Sequence, residues 1–199
     1  MELLGERWAM LVLRELGYGP RRFSELKADL VGISANVLSQ RLAELESRGL
    51  VRKAKLPPPA SVQVYEATAW GLEVVPLIAS LGRWAARSPW HDPTLQMSHV
   101  SVMMSLQTLI SPELAEGLDV RIGFQFGDTS YVATVSDGRL DVERAPVENC
   151  AVVVSGAPSA VAAVIHGGAP FEMIRVEGDL ELAKRFVKLF PLPSKVETS

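Results

Sequence analysis

The chain has 199 residues, of which 48% are hydrophobic and 22% charged, with a net charge of −3; this is the balance of a soluble globular protein with one large domain or two small ones. Its single cysteine, Cys150, excludes an internal disulfide and suits a reducing cytoplasm. Charges interrupt the apolar N-terminal run, and Gly156 and Pro158 break the richest later one, which excludes a signal peptide, a membrane span and a membrane partner. The charge is uneven. Residues 1–90 hold 12 Lys/Arg and 9 Asp/Glu, whereas residues 91–199 hold 8 and 14, so a mildly basic half precedes an acidic one.

Leu4, Trp8, Leu11, Val12 and Leu16 have helical spacing, which predicts a first helix with Trp8 in the core; "GYGP" at 17–20 ends it. A second, shorter helix follows, with Phe23, Leu26 and Leu30 on one face. Ser34 is the expected N-cap of a third helix, Leu38, Leu42 and Leu45 its buried stripe, and Gly49 its stop. "LVRKAKL" alternates apolar and basic residues, as a strand with one wet face does, and "VQVYEAT" is the returning strand. Pro57, Pro58 and Pro59 cannot donate to a ladder and belong at the tip between them. Thr68 caps a fourth helix expected to run to about Arg87, kinked at Pro76, with Trp84 in the core.

Three helices and a basic hairpin have the layout of a winged helix-turn-helix. Such a module needs a third helix with an apolar face for the core and a short polar face for base edges. Asn36, Ser39 and Gln40 supply the polar face near the helix start, and Asn and Gln can each pair bidentately with adenine. Ser34 lies beside them, and Arg41 can reach a phosphate or an acidic neighbour. Arg52, Lys53 and Lys55 on the wing, and Arg21 and Arg22 before the second helix, are the candidate phosphate contacts.

The stretches "LLGERWAMLVLREL", "FSEL", "LSQRLAELESRGLV" and "GLEVVPLIASLGRW" resemble the HxlR family of bacterial winged-helix regulators over residues 1–88. The resemblance implies a cytoplasmic, nucleoid-associated transcription regulator that binds double-stranded DNA as a homodimer, each copy reading one half-site. That family usually has a further segment, often with a cysteine, ahead of the first helix. Here the sequence opens directly on "MELLGERW", so either the segment is absent or the start lies upstream, and thiol sensing through it is not expected.

"ARSPWHDPT" at 86–94, with two prolines and a change of charge sign, predicts a linker over 89–94. Beyond it the pattern predicts a helix at 98–110, strands at 118–126, 129–137, 139–146 and 150–156 with an Asp137–Gly138 hairpin turn, a helix at 159–168, a strand at 171–179 and a last amphipathic helix at 180–190. Cys150 opens an apolar strand, where a buried structural thiol is expected. His91, His99 and His166 show no metal-ligand spacing, and there is neither a phosphate-binding loop nor a dinucleotide fingerprint, so no enzyme, metal or cofactor is expected.

This half resembles the sterol-carrier-protein fold over residues 95–192, on its helix, meandering strands, "VVVSGAPSAVAAVIHG" segment, "VEGD" turn and terminal helix. The resemblance implies a hydrophobic ligand, lipid or acyl, in an apolar tunnel lined by Val161, Val164, Ile165, Phe171, Met173, Ile174, Phe186, Leu189 and Phe190. The expected fold class is therefore α+β in two domains: a winged helix-turn-helix at 1–88, then a sterol-carrier-like sheet with packed helices at 95–199. Two other readings stand beside the effector-controlled regulator. In one, the second domain is a ligand-free dimerisation module. In the other, the protein is a lipid carrier whose winged helix binds protein.

Overall fold

The computed structural model describes residues 3–58, 60–92 and 95–197. Pro59 of the expected loop tip and Pro93 and Thr94 of the expected linker lie outside them. The chain divides into two compact units between Ala79 and Ser80.

Unit 1 opens with α1 (Ala9–Glu15), α2 (Phe23–Asp29) and α3 (Ala35–Ser47). The periodicity from Leu4 does not become helix before Ala9, because Trp8 adopts φ 78°, a left-handed conformation that cannot propagate a right-handed helix. The Trp8 ring is half-buried, with the Arg7 guanidinium 5.4 Å from its centroid. Ser34 caps α3 by accepting from the Val37 amide at 3.2 Å. At the other end Gly49, at φ 75°, makes the stop: the Gly49 amide donates to Glu46 O at 3.0 Å and the Leu50 amide to Leu45 O at 2.9 Å, a Schellman pair. Leu38, Leu42 and Leu45 pack into a core with Val12, Leu13 and Leu26.

The hairpin joins β1 (Val51–Lys55) and β2 (Gln63–Ala67), antiparallel with Arg52 opposite Glu66 and Lys53 opposite Tyr65. Tyr65 also exchanges two backbone hydrogen bonds with Arg21, at 2.8 and 2.9 Å, which ties the wing to the start of α2. The predicted fourth helix is two helices, α4 (Ala69–Glu73) and α5 (Val75–Ala85), the latter crossing the division at Ala79. Pro76 has no N–H and clashes with a preceding helical turn, so it is accommodated in the first turn of a new helix rather than as a kink. Trp84 is not in the core: it is 72% exposed, and with Leu77 and Leu81 forms an apolar stripe turned to water. Helical spacing marks such a face without saying what covers it.

Unit 2 contains α6 (His99–Leu109), a short α7 (Pro112–Ala115) that the sequence pattern did not indicate, β3 (Val120–Phe126), β4 (Thr129–Ser136), β5 (Arg139–Glu143), β6 (Val152–Ser155), α8 (Pro158–Gly167), β7 (Arg175–Gly178) and α9 (Leu180–Val187). The sheet order is β5-β4-β3-β6-β7, antiparallel except for the β3–β6 pair. Asp137 and Gly138, at φ 49° and 72°, form the expected two-residue turn, both central residues left-handed as that turn requires. The predicted strand at 171–179 begins only at Arg175. Pro170, with no amide to donate, leads instead into a 3-10 turn over Phe171–Met173. Cys150 is half-buried rather than buried; burial nonetheless pushes its thiol pKa up.

The interior of unit 2 is aromatic. Phe186 meets Phe190 at 4.9 Å and Phe124 at 6.0 Å between ring centroids. The buried His99 Nδ1 lies 2.7 Å from the Tyr131 hydroxyl, and His166 Nε2 lies 2.9 Å from Ser105 Oγ, joining α8 to α6. Burial pushes the His166 pKa down. No helix among the described residues is long and apolar enough to cross a membrane.

Gly71 and Gly82 give opposite expectations. A Cβ on Gly71 would lie 2.1 Å from the Leu50 carbonyl oxygen, whereas one on Gly82 meets nothing within 4 Å. Gly71→Ala should destabilise unit 1 by about 1–3 kcal/mol through forced displacement of α4. Gly82→Ala, inside α5, should stabilise by roughly 0.5–1 kcal/mol. Urea unfolding followed by far-UV circular dichroism measures both.

Candidate nucleic-acid interface

The surface that presents the predicted polar residues is built from α3 and the β1–β2 wing. The stripe of Leu38, Leu42 and Leu45 fixes the rotation of α3, and so turns Asn36, Ser39 and Gln40 outward; all three are exposed. Ser34 is exposed at the helix start, but its oxygen is engaged as the cap. Gln40 Nε2 donates to Glu44 Oε1 at 2.9 Å, one turn along the same face, leaving its amide oxygen to accept. This is a short polar edge at a helix N-terminus, the arrangement that can enter a major groove.

The basic residues fall into two groups. Arg21 and Arg41 point inward. Arg21 is only 4% exposed. Its guanidinium lies 3.8 Å from Glu15 and 3.3 Å from Glu25 and is bonded to Asp29. Arg41, also buried, lies 3.3 Å from Glu6 and is bonded to Glu44. Of the two destinations open to Arg41 from sequence, its charge meets the acidic one. Arg22, Arg52, Lys53 and Lys55 are exposed. Arg52 Nε lies 2.6 Å from its cross-strand partner Glu66, and Lys53 Nζ 2.7 Å from Glu46 at the end of α3. Among the described residues the side chains of Arg22 and Lys55 have no carboxylate partner. The sequence reading missed the acidic residues that hold these cations, Glu15 within the core and Glu44, Glu46 and Glu66 nearer the surface. Glu44 was findable, since it stands three residues from Arg41 and four from Gln40 on one helix face.

In unit 2, six of the nine predicted lining residues, Val161, Val164, Ile165, Phe186, Leu189 and Phe190, are buried. Phe171 and Ile174 are half-buried and Met173 is exposed, on or beside the 3-10 turn that packs against α8. No group of three or more His, Cys, Asp or Glu among the described residues is placed to hold a metal ion.

Three helices, a wing tied back to the second helix and an outward polar edge on the third define unit 1 as a winged helix-turn-helix module. Residues 3–92 match the model of the HxlR-like helix-turn-helix family. YvaP of Bacillus subtilis (strain 168), named an uncharacterized HTH-type transcriptional regulator, is 35% identical over 94 residues, covering 47% of this chain and 85% of YvaP. The HTH-type transcriptional regulator YodB of the same organism is 34% identical over 83 residues, covering 42% of this chain and 74% of YodB. The structure of reduced YodB aligns at 32% identity over 45% of this chain and 89% of that one, with a TM-score of 0.40. The chain belongs to the HxlR-like helix-turn-helix family. The sheet of unit 2 lies beyond the matched residues.

Two arginines adjacent in sequence should behave differently when replaced. Arg21→Ala removes the cation bonded to Asp29 and leaves Glu15 with Arg14, and should cost about 3–5 kcal/mol, the scale for breaking a buried ion pair from one side. Arg22→Ala should leave the unfolding free energy within about 0.5 kcal/mol of the parent, as exposed substitutions do. Differential scanning calorimetry of the two variants checks this.

Proposed function

We propose that the protein is a DNA-binding transcriptional regulator that acts as a homodimer, with α3 in the major groove and the wing along the phosphate backbone. The observation that carries this reading is the outward polar edge of Asn36, Ser39 and Gln40, opposite the buried leucines of α3 and next to a wing that bears exposed Lys53 and Lys55. The names of the matched relatives support it. Arg22, Arg52, Lys53 and Lys55 are the phosphate contacts in this reading, while Arg21 and Arg41 shape the module from within. The water-facing stripe of Leu77, Leu81 and Trp84 on α5 supports a second copy as the cover for that face.

Base and phosphate contacts separate on titration. Asn36→Ala or Gln40→Ala should reduce discrimination between a selected operator and scrambled DNA by about 1–3 kcal/mol. Lys55→Ala should weaken both equally and flatten the dependence of log K on log salt by about 0.9. Fluorescence anisotropy across a salt series gives both quantities. Equal losses on both DNAs for the α3 variants would sink the assignment of base reading to this edge.

For unit 2 we propose a sterol-carrier-like sensor that takes a hydrophobic lipid or acyl effector. The buried cluster of Val161, Val164, Ile165, Phe186, Leu189 and Phe190, with half-buried Phe171 and exposed Met173 beside α8, supports an apolar site with an approach from that turn. An effector would act only by binding two arrangements of the regulator with different affinity. The 4.9 Å Phe186–Phe190 contact favours a second reading, a filled core that serves assembly alone. Native mass spectrometry of freshly purified protein, with organic extraction, decides between them. The expected result is a dimer carrying one apolar molecule per chain; a dimer with nothing bound, and no uptake from a panel of fatty acids, favours the structural module.

A further inference from the structure

Two of the wing's cations, Arg52 and Lys53, are each held by a carboxylate. Lys53 lies on β1 with its ammonium 2.7 Å from Glu46 Oε2, across from the last turn of α3. The hydrogen bond from Lys53 to Glu46 holds the lysine pKa above its ordinary value. Lys53 Nζ also sits 6.0 Å from the centroid of Tyr65, its cross-strand neighbour. Both partners remain partly open to water, Lys53 at 48% and Glu46 at 34% side-chain exposure. An exposed pair of this kind is weak enough to open, yet it is worth about two- to five-fold in an equilibrium. Lys55, two residues along the same strand face, has no carboxylate partner among the described residues and stands as an internal comparison.

We propose that Glu46 is an internal competitor for the DNA phosphate: it occupies Lys53 in the free protein and restrains the sequence-independent grip of the wing. The inference rests on the reading of unit 1 as a DNA-binding module. Its physical content is an exchange. When Lys53 leaves Glu46 for a phosphate, the duplex releases a counterion, but the abandoned carboxylate attracts a cation from solution. The two effects oppose each other in the salt dependence. Lys53 therefore contributes less to affinity and to the salt slope than an unengaged lysine such as Lys55 does.

The test is a double-mutant cycle on full-length protein with a 30-base-pair duplex of random sequence, followed by anisotropy from about 50 to 200 mM salt, the range over which phosphate contacts are resolved. Glu46→Gln keeps the size of the side chain and one acceptor oxygen and removes its charge. The expected result is about two- to five-fold tighter binding than the parent at the low-salt end, and a slope of log K against log salt steeper by up to about 0.9. In a Lys53→Ala background the same change should give a markedly smaller gain and no steepening, because the released partner is gone. An E46Q variant that binds like the parent overturns the inference while leaving DNA binding intact. So does a gain of equal size in the Lys53→Ala background, which would be a net-charge effect. Binding by E46Q where the parent shows none supports it. Absence of binding by every variant at low salt removes the DNA reading, and this inference with it.

Discussion

The arginine at position 21 is the interaction on which unit 1 depends. Its guanidinium collects carboxylates from the end of α1 and from two turns of α2, while its backbone exchanges two hydrogen bonds with Tyr65 in β2. One residue thus joins two helices to the wing. A buried arginine is tolerable only when its charge is matched and its donors are met. Arg21 has acidic groups on three sides, and the requirement runs in both directions: Glu15 is fully buried and is itself tolerable only because Arg14 and Arg21 stand beside it. The orientation of α3 follows, since α3 packs its leucine stripe into the core that α1 and α2 create.

With Arg21 and Arg41 committed inward, the outer face keeps few cations, and Arg52 and Lys53 each hold a carboxylate. That economy fits a chain whose first half is only mildly basic. Affinity for a polyanion depends on how many phosphates can be neutralised, not on how many basic residues the sequence contains. On the DNA-binding reading proposed above, a surface of this kind would give sequence readout a larger share of the total than a heavily charged one.

Unit 2 is organised differently. Its core brings Phe124, Phe186 and Phe190 together in tilted and edge-on contacts, and two histidines are held by hydroxyls, His99 by Tyr131 and His166 by Ser105. Burial pushes the His166 pKa down, so the ring is kept in its neutral form, which the apolar surroundings tolerate better than a cation. Gly178, at φ 96°, permits a close approach of β7 to β6: a Cβ there would lie 2.3 Å from the Ala151 carbonyl oxygen.

The sequence by itself determined the elements whose signals are local. Ser34 and Thr68 were legible as caps, Gly49 as a stop and Asp137–Gly138 as a turn, because each acts on amides within a few residues of itself. Leu38, Leu42 and Leu45 were legible as a buried stripe, and with them the outward edge of Asn36, Ser39 and Gln40, because helix geometry fixes opposite faces together. Only the tertiary structure decided which cations face outward and which apolar faces are covered. Arg21 and Arg22 are neighbours in sequence and part company because Glu15 and Asp29, from two different helices, meet the first of them. Trp84 has core spacing and lies exposed, because periodicity orients a side chain without supplying a neighbour. Lys53 and Lys55 share a strand face, yet Glu46 reaches only the first. Charge pairing across elements depends on distances the fold creates, and no spacing within one element encodes them.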